Sequence, residues 1–352
     1  MNPILIEERI KAEALRLGFS LCGFTSPDPP NHFILYQNWL DEGNHGEMYY
    51  LHSKDHLEKR NDPLKLMPEV RSILSLAWLY TIDQTKPLKD EKKPLIAGFA
   101  AGEDYHKFLP NRLENLKEFI SLELGGPHHA RIFSDSAPIL ERELANRAGL
   151  GWIGKNSCLI SPKIGSAFLL AELFSDYPFQ PDLPFSEDRC GSCTQCIRAC
   201  PTHCITPNRT IDSRQCISYL TIEKRNSIPI EYRTQVGNWL FGCDICQSVC
   251  PWNQHPLLIP GLNPKHFDFF EAGEFLTLSK EEFNIKFGHS ALSRTKWRGL
   301  MRNTLIFLGN SGDRKAVSFI KRFLRSTVDP DLREQAVWSI RKLNHEEIRI
   351  AP

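Results

Sequence analysis

The first clear period in the chain is helical. Between Pro3 and Leu17, Ile6, Ile10, Ala14 and Leu17 fall on one face, polar residues fill the rest, and Gly18 ends the run. Apolar stretches of strand length follow at Phe19 to Phe24, Ser72 to Tyr80, Ala130 to Phe133 and Ala167 to Phe174. A helix is predicted from Asp104 to about Leu124, and a shorter one from Ile139 to Ala148. Strands interleaved with helices predict an amino-terminal α/β unit. The stretch Asn44-His45-Gly46-Glu47-Met48, with Arg60, Asp62 and Pro63 after it, reads as loop and turn.

From Trp297 the period changes. The run Arg298 to Asn310, then Ala316 to Leu324, Asp329-Pro330, and Leu332 to Leu343 reads as short helix, turn, short helix, close to the period of a HEAT-type unit. One or two such units cannot bury both faces alone, so they must pack on what precedes them. The fold class is α+β in three parts: an α/β part over 1–180, a cysteine-rich part over 181–260 and a HEAT-like helical part over 261–352.

Composition narrows the classes. With 352 residues and 41% apolar content the chain has room for two or three ordinary globular domains. Met1-Asn2-Pro3-Ile4, running into Glu7, Glu8 and Arg9, has neither a basic region nor an apolar core of the signal-peptide kind. The longest mostly apolar run, Ile164 to Phe174, is too short to span a bilayer. A cytoplasmic location with no membrane contact is expected. The net charge of +1 hides an asymmetry: Ser290 to Leu343 holds twelve Lys or Arg against four Asp or Glu. That density fits a polyanionic partner, although a solvated helical face has the same composition.

The strongest chemistry is in the cysteines. Nine of the eleven lie between Cys190 and Pro251. Cys190, Cys193, Cys196 and Cys200, followed by Pro201, form the C-x2-C-x2-C-x3-C-P run of bacterial-type ferredoxins. Cys243, Cys246 and Cys250, followed by Pro251, form an incomplete second copy, with Cys216 upstream as a displaced fourth ligand. In two-cluster proteins the fourth cysteine of each run ligates the other cube. The expected assignment is therefore crossed: Cys190, Cys193, Cys196 and Cys250 on one [4Fe-4S] cluster, Cys200, Cys216, Cys243 and Cys246 on the other. Cys204 is spare, and Cys22 and Cys158 have no role in this scheme. Zinc favours separated C-x2-C pairs, and disulfides suit small secreted domains; both remain alternatives at this point.

Two polar groups stand where chemistry is common. Gly98-Phe-Ala-Ala-Gly102 leads into Glu103-Asp104-Tyr105-His106, small residues that let a backbone approach a flat ligand, although Asp104 can equally be a helix cap. Asp135, in Ser134-Asp135-Ser136-Ala137-Pro138, follows a strand and precedes the glycine-rich Gly149-Leu-Gly-Trp-Ile-Gly-Lys155; it reads equally as a catalytic carboxylate or as a cap. Glu172 lies among apolar neighbours, either a paired buried acid or an edge residue.

Taken as a set, these motifs resemble the epoxyqueuosine reductases of bacterial tRNA modification, relatives of the reductive dehalogenases. The likeness runs over nearly the whole chain: His45-Gly46-x-Met48, Arg60-x-Asp62-Pro63, Gly102-x-Asp104-Tyr105-His106, Asp135-x-Ala137-Pro138, Gly149 to Lys155, both cysteine groups, and Arg298-Gly-Leu-x-Arg302-Asn303. The resemblance implies base-off cobalamin in the amino-terminal part, two [4Fe-4S] clusters, and reduction of the epoxide of epoxyqueuosine at the tRNA wobble position. It puts Asp135 where the family places the proton donor, with His106 and Tyr105 next in line. Arg60, Asp104, His106, Asp135, Glu172 and Ser218 are the expected cofactor contacts. An Asp-x-His-x-x-Gly cobalt-ligand motif is only half present, since position 109 is Leu109, so His106 is not expected to ligate cobalt. Arg298, Arg302 and Lys321 are expected at tRNA phosphates. A flavodoxin or ferredoxin is the expected electron donor, and a monomer the expected state. The alternatives are a dehalogenase-like corrinoid enzyme on a small molecule, which has no use for a basic helical segment, and a non-catalytic electron carrier, which has no use for the amino-terminal half.

Overall fold

The two longest strands, Ser72–Leu79 and Phe168–Ser175, are buried along most of their length and pair antiparallel at the centre of a four-stranded sheet. Leu21–Thr25 adds beside the first and Ala130–Phe133 beside the second, both antiparallel. In this computed structural model, which describes residues 5–82, 93–253 and 267–346, the sheet is the frame of the amino-terminal part. The α/β part expected from the interleaved pattern is thus a helix-covered sheet whose strands all pair antiparallel. Interleaving mandates parallel strands only when each helix is a direct crossover. Here the chain between Thr25 and Ser72 is long enough to return to the same end of the sheet.

Helices cover both sheet faces. Ile6–Arg16 and Tyr105–Glu123 cover one, setting Ile10, Ala14, Leu113 and Leu116 against Leu74 and Leu173. Glu141–Arg147 covers the other, with Leu144 packed on Ile73 and Phe174. Each such leucine contributes about 1.5–3 kcal/mol by leaving water. Pro3, where the first helix was expected to begin, lies outside the described residues. Lys54–Asn61 is a helix within the region read as loop and turn, and Phe33–Asp41 is a helix just before it. Lys54–Asn61 is almost wholly polar and shows no apolar period; its visible signal is Ser53, whose side chain caps the His56 N–H.

The cysteine region is built of short helices, Gln195–Ala199, Ile217–Ile222, Ile230–Val236 and Ile245–Ser248. It is not a separate body, since Leu95–Ile96 pairs parallel with Trp239–Phe241. The loop His45-Gly46-Glu47 docks on it as well. Gly46 has φ +62°, and a Cβ there would stand 2.5 Å from the Tyr219 hydroxyl. Glu47 N–H donates to that hydroxyl at 2.7 Å, and the Glu47 carboxylate pairs with Lys224 at 2.8 Å.

At the carboxyl end, Lys296–Asn310, Ala316–Ser326 and Pro330–Leu343 pack together. Phe269–Glu274 and Lys280–Phe287 precede them, each opened by a capping box, Asp268 with Glu271 and Ser279 with Glu282. Asn303 ties the segment to the cysteine region by donating to the carbonyls of Thr221 (2.7 Å) and Leu240 (2.8 Å). Arg302, expected at a tRNA phosphate, is only 2% exposed and donates to the carbonyls of Leu220, Lys224 and Asn226 at 2.6–2.8 Å. It is a structural residue; an arginine mid-helix among apolar neighbours does not reveal from sequence that its fork has inward acceptors. Arg298 is half-buried and paired with Asp329 (2.7 Å) and Asp331 (2.5 Å), so its charge is largely used inside the chain. Lys321 is exposed, as expected. Among the described residues, no helix is long and apolar enough to cross a membrane.

Candidate active site and cysteine region

Asp104, Tyr105 and His106 open the long helix, and Asp104 does cap it, accepting the His106 N–H at 3.2 Å. The cap and the site are the same feature, because the cap fixes the helix start so that Tyr105 and His106 stack (4.2 Å between rings) and face Asp135. Tyr105 Oη donates to Asp135 Oδ2 at 2.6 Å, and His106 Nε2 lies 3.5 Å from the same carboxylate. Asp135 reaches them from the end of the Ala130–Phe133 strand in a left-handed conformation, φ +59°. Its N–H is held by Glu141 Oε1 at 2.7 Å.

A fourth member comes from the carboxyl-terminal segment. Arg294 Nη1 donates to Tyr105 Oη at 3.0 Å, its guanidinium touches His106 Nδ1, and it lies 3.6 Å from both Asp104 and Asp135. Nothing in the sequence singles Arg294 out from the other basic residues near it. With Nδ1 against Asp104 and Arg294 and Nε2 facing Asp135, His106 has both ring nitrogens engaged.

A proton donor works best with its pKa lifted toward neutrality, and Asp135 does not have that. Burial pushes its carboxyl up, but the hydrogen bonds from His106 and Tyr105 and the charge of Arg294 outweigh it and bring the pKa down to about 2. The side chain is still 53% exposed at the cleft, so water shares in holding the charge. His106 moves the other way: burial lowers its pKa, while the Asp135 and Asp104 carboxylates raise it further, for a net rise. The two carboxylates thus favour the protonated form of His106, against burial and the nearby Arg294, beside an Asp135 held ionised.

The other expected contacts are placed as follows. Arg60 stacks over Tyr36 (5.2 Å), with one guanidinium nitrogen buried and unpartnered. Tyr50 stands between Arg60, Asp135 and Glu223, within electrostatic reach of all three. Ser218 is half-buried on Ile217–Ile222, beside Tyr219. Glu172 has no exposed surface and lies beside Glu141. Lys155 is not at the Asp135 site; its ammonium donates to the carbonyls of Gly191 (2.6 Å) and Cys193 (2.8 Å), where the glycine-rich turn braces the first cysteine run.

All eleven cysteines are free, which removes the disulfide alternative. Cys250 lies close to Cys190, Cys193 and Cys196, and Trp152 Nε1 donates to Cys190 Sγ at 3.4 Å. Cys243 has Cys216 and Cys200 as neighbours, and Cys246 has Cys243 and Cys216. Cys204 Sγ is 3.5 Å from Cys200 Sγ, and Cys158 reaches Cys246. Cys22 is distant, on the Leu21–Thr25 strand.

An open carboxylate site on a helix-covered sheet, joined to a ferredoxin-like thiol array, defines an iron–sulfur oxidoreductase. Residues 189–253 match the 4Fe-4S double cluster binding domain family, and residues 60–136 match the family described as epoxyqueuosine reductase QueG, DUF1730. The chain is 43% identical over 302 residues to the epoxyqueuosine reductase of Cyclobacterium marinum, covering 84% of this chain and 94% of that one. It is 38% identical over 347 residues to that of Pseudomonas aeruginosa, covering 97% and 95%. A solved epoxyqueuosine reductase with an epoxyqueuosine-modified tRNA stem loop superposes with a TM-score of 0.85 at 30% identity, covering 96% of this chain and 90% of that one. The Bacillus subtilis enzyme, with its catalytic aspartate loop swung out of the active site, does so with a TM-score of 0.83 at 30% identity over the same shares. The chain belongs to the epoxyqueuosine reductase family.

Proposed function

We propose that this chain reduces the epoxide of epoxyqueuosine at the wobble position of tRNA to the alkene of queuosine, with base-off cobalamin beside Asp135 and two [4Fe-4S] clusters on eight cysteines. The observation that carries the reading is the convergence of Tyr105, His106 and Arg294 on the half-exposed carboxylate of Asp135. Residues 1–180 would hold the corrin, 181–260 the clusters, and the HEAT-like 261–352 the tRNA. The work would be done by a monomer in the cytoplasm.

The residues fit the cofactors. The neighbours of Cys250 and of Cys243 support the crossed assignment: Cys190, Cys193, Cys196 and Cys250 on one cube, Cys200, Cys216, Cys243 and Cys246 on the other. The unpartnered nitrogens of Arg60 and His45 are buried donors suited to the amide carbonyls that fringe a corrin. Arg60, Asp104, His106 and Asp135 would border it, with Ser218 approaching from the cysteine side. When bound, cobalt reduced by single electrons that pass along the clusters from a flavodoxin- or ferredoxin-type donor supplies the two electrons that loss of the oxygen requires.

Losing that oxygen as water also takes two protons. Asp135 would touch the leaving oxygen and relay one proton from His106 and the second from solvent at its half-exposed carboxylate, while Tyr105 and Arg294 orient it. Anaerobic reconstitution followed by metal analysis is expected to give about eight irons per chain and, after cobalamin is added, about one cobalt, with no zinc. Zinc in place of iron, or no uptake of cobalamin, would overturn the cofactor reading.

For tRNA, Arg314, Lys315, Lys321 and Arg325 on and beside the Ala316–Ser326 helix are exposed and would meet the phosphate backbone. Affinity for a modified stem loop is expected to fall steeply with salt, with Lys321→Gln lowering the log–log slope by roughly one. A flat salt response measured by fluorescence anisotropy would exclude this surface.

A further inference from the structure

Glu172 sits mid-strand, opposite Ser75 on one neighbouring strand and Phe133 on the other. It is 0% exposed, and neither carboxyl oxygen meets a hydrogen-bond donor. Its polar neighbour is another acid, Glu141, at the start of the Glu141–Arg147 helix. An ionised carboxylate buried without a donor is costly, and two facing carboxylates repel, so a proton must lie between them. Glu141 is also the residue that accepts the Asp135 N–H. That contact matters because the left-handed backbone of Asp135 costs a non-glycine residue of order 1–3 kcal/mol and persists only where it is held.

We propose that Glu141 and Glu172 are positioning residues sharing one proton: Glu172 donates it to Glu141, and Glu141 holds the Asp135 N–H and so aims the Asp135 carboxylate into the cleft. This rests on the reading of Asp135 as the group at the leaving oxygen. Burial, with the Asp135 charge beside it, pushes the Glu141 carboxyl up to about 7, and burial together with Glu141 pushes Glu172 well above the usual range. The groups facing the pair are Asp135 on the loop, Arg142 on the helix and the neutral Ser75 on the neighbouring strand. Once the shared proton leaves, both acids are charged, Glu141 is repelled, and its grip on Asp135 loosens.

The sign for stability follows. An unfolded glutamate ionises near its ordinary pKa while the folded pair keeps its proton, so unfolding releases a proton and stability falls as pH rises from about 4.5, through about 7 for Glu141 and on above its ordinary range for Glu172. In Glu172→Gln holoenzyme, the decline of the thermal midpoint between about pH 5 and about pH 8 is expected to flatten, and the alkaline limb of kcat to move to higher pH. Glu141→Ala is expected to lose about 10- to 100-fold in kcat on a modified stem loop, with KM within about twofold. Glu141→Gln, which keeps an acceptor for the Asp135 N–H, should recover most of it. A Glu172→Gln midpoint curve parallel to wild type, or normal turnover by Glu141→Ala, overturns the proposal. If Glu141→Ala does not fold, the Glu172→Gln curve decides. An inactive Asp135→Asn beside a normal Glu141→Ala removes only this pair, whereas an active Asp135→Asn removes the reading beneath it.

Discussion

Asp135→Asn is expected to bind the cofactors and tRNA as wild type does and to turn over about 10²–10⁴ times more slowly, the usual cost of removing a general acid. The variant is close to isosteric, and its amide can still meet Tyr105 and Arg294, so the loop should keep its place. What it cannot do is carry a proton from His106 to the leaving oxygen. The loss should therefore appear in single-turnover rates with pre-reduced enzyme and not in stem-loop affinity. A single-turnover rate equal to wild type would take Asp135 out of the chemistry and leave His106 or Tyr105 to deliver the proton directly.

Arg302→Ala is expected to cost about 3–5 kcal/mol of stability, more than any exposed arginine of the same segment. Three carbonyls, those of Leu220, Lys224 and Asn226, lose their donors at once, and a cavity opens where the guanidinium was. Burial lowers the Arg302 pKa to about 9, and the acceptors that hold its guanidinium are three carbonyls and the Asn303 amide oxygen rather than a carboxylate. Arg298→Ala, which removes a partly exposed pair with Asp329 and Asp331, should cost only about 1 kcal/mol. Denaturant midpoints of the two variants measure the difference. Equal midpoints would mean that Arg302 does not fasten the segment.

Much of this was legible in the sequence, for reasons particular to each residue. The cysteines were legible because the spacing that thiols need to hold an iron–sulfur cube is fixed, and residues 189–253 match a 4Fe-4S double cluster binding domain. Asp104, Tyr105 and His106 were legible because a cap and two aromatic rings at a helix start are local features. Strand sense was not, because an apolar run looks the same whichever way its neighbour travels. Arg302 and Arg294 show the same limit in side chains. Both are basic residues of one stretch, yet one is spent on carbonyls inside the chain and the other reaches a carboxylate on a loop far away in sequence. Glu141 was missed because its work is done by a contact with a backbone N–H and by its nearness to an acid on another strand, neither of which leaves a motif.

The bare backbone of Gly46 against the Tyr219 ring bears on how the two parts of the chain move. No side chain intervenes there to act as a cushion, so the loop and the Ile217–Ile222 helix shift together or not at all. If the proposed cofactors lie on either side of this contact, the spacing between them is set by close packing and not by a hinge.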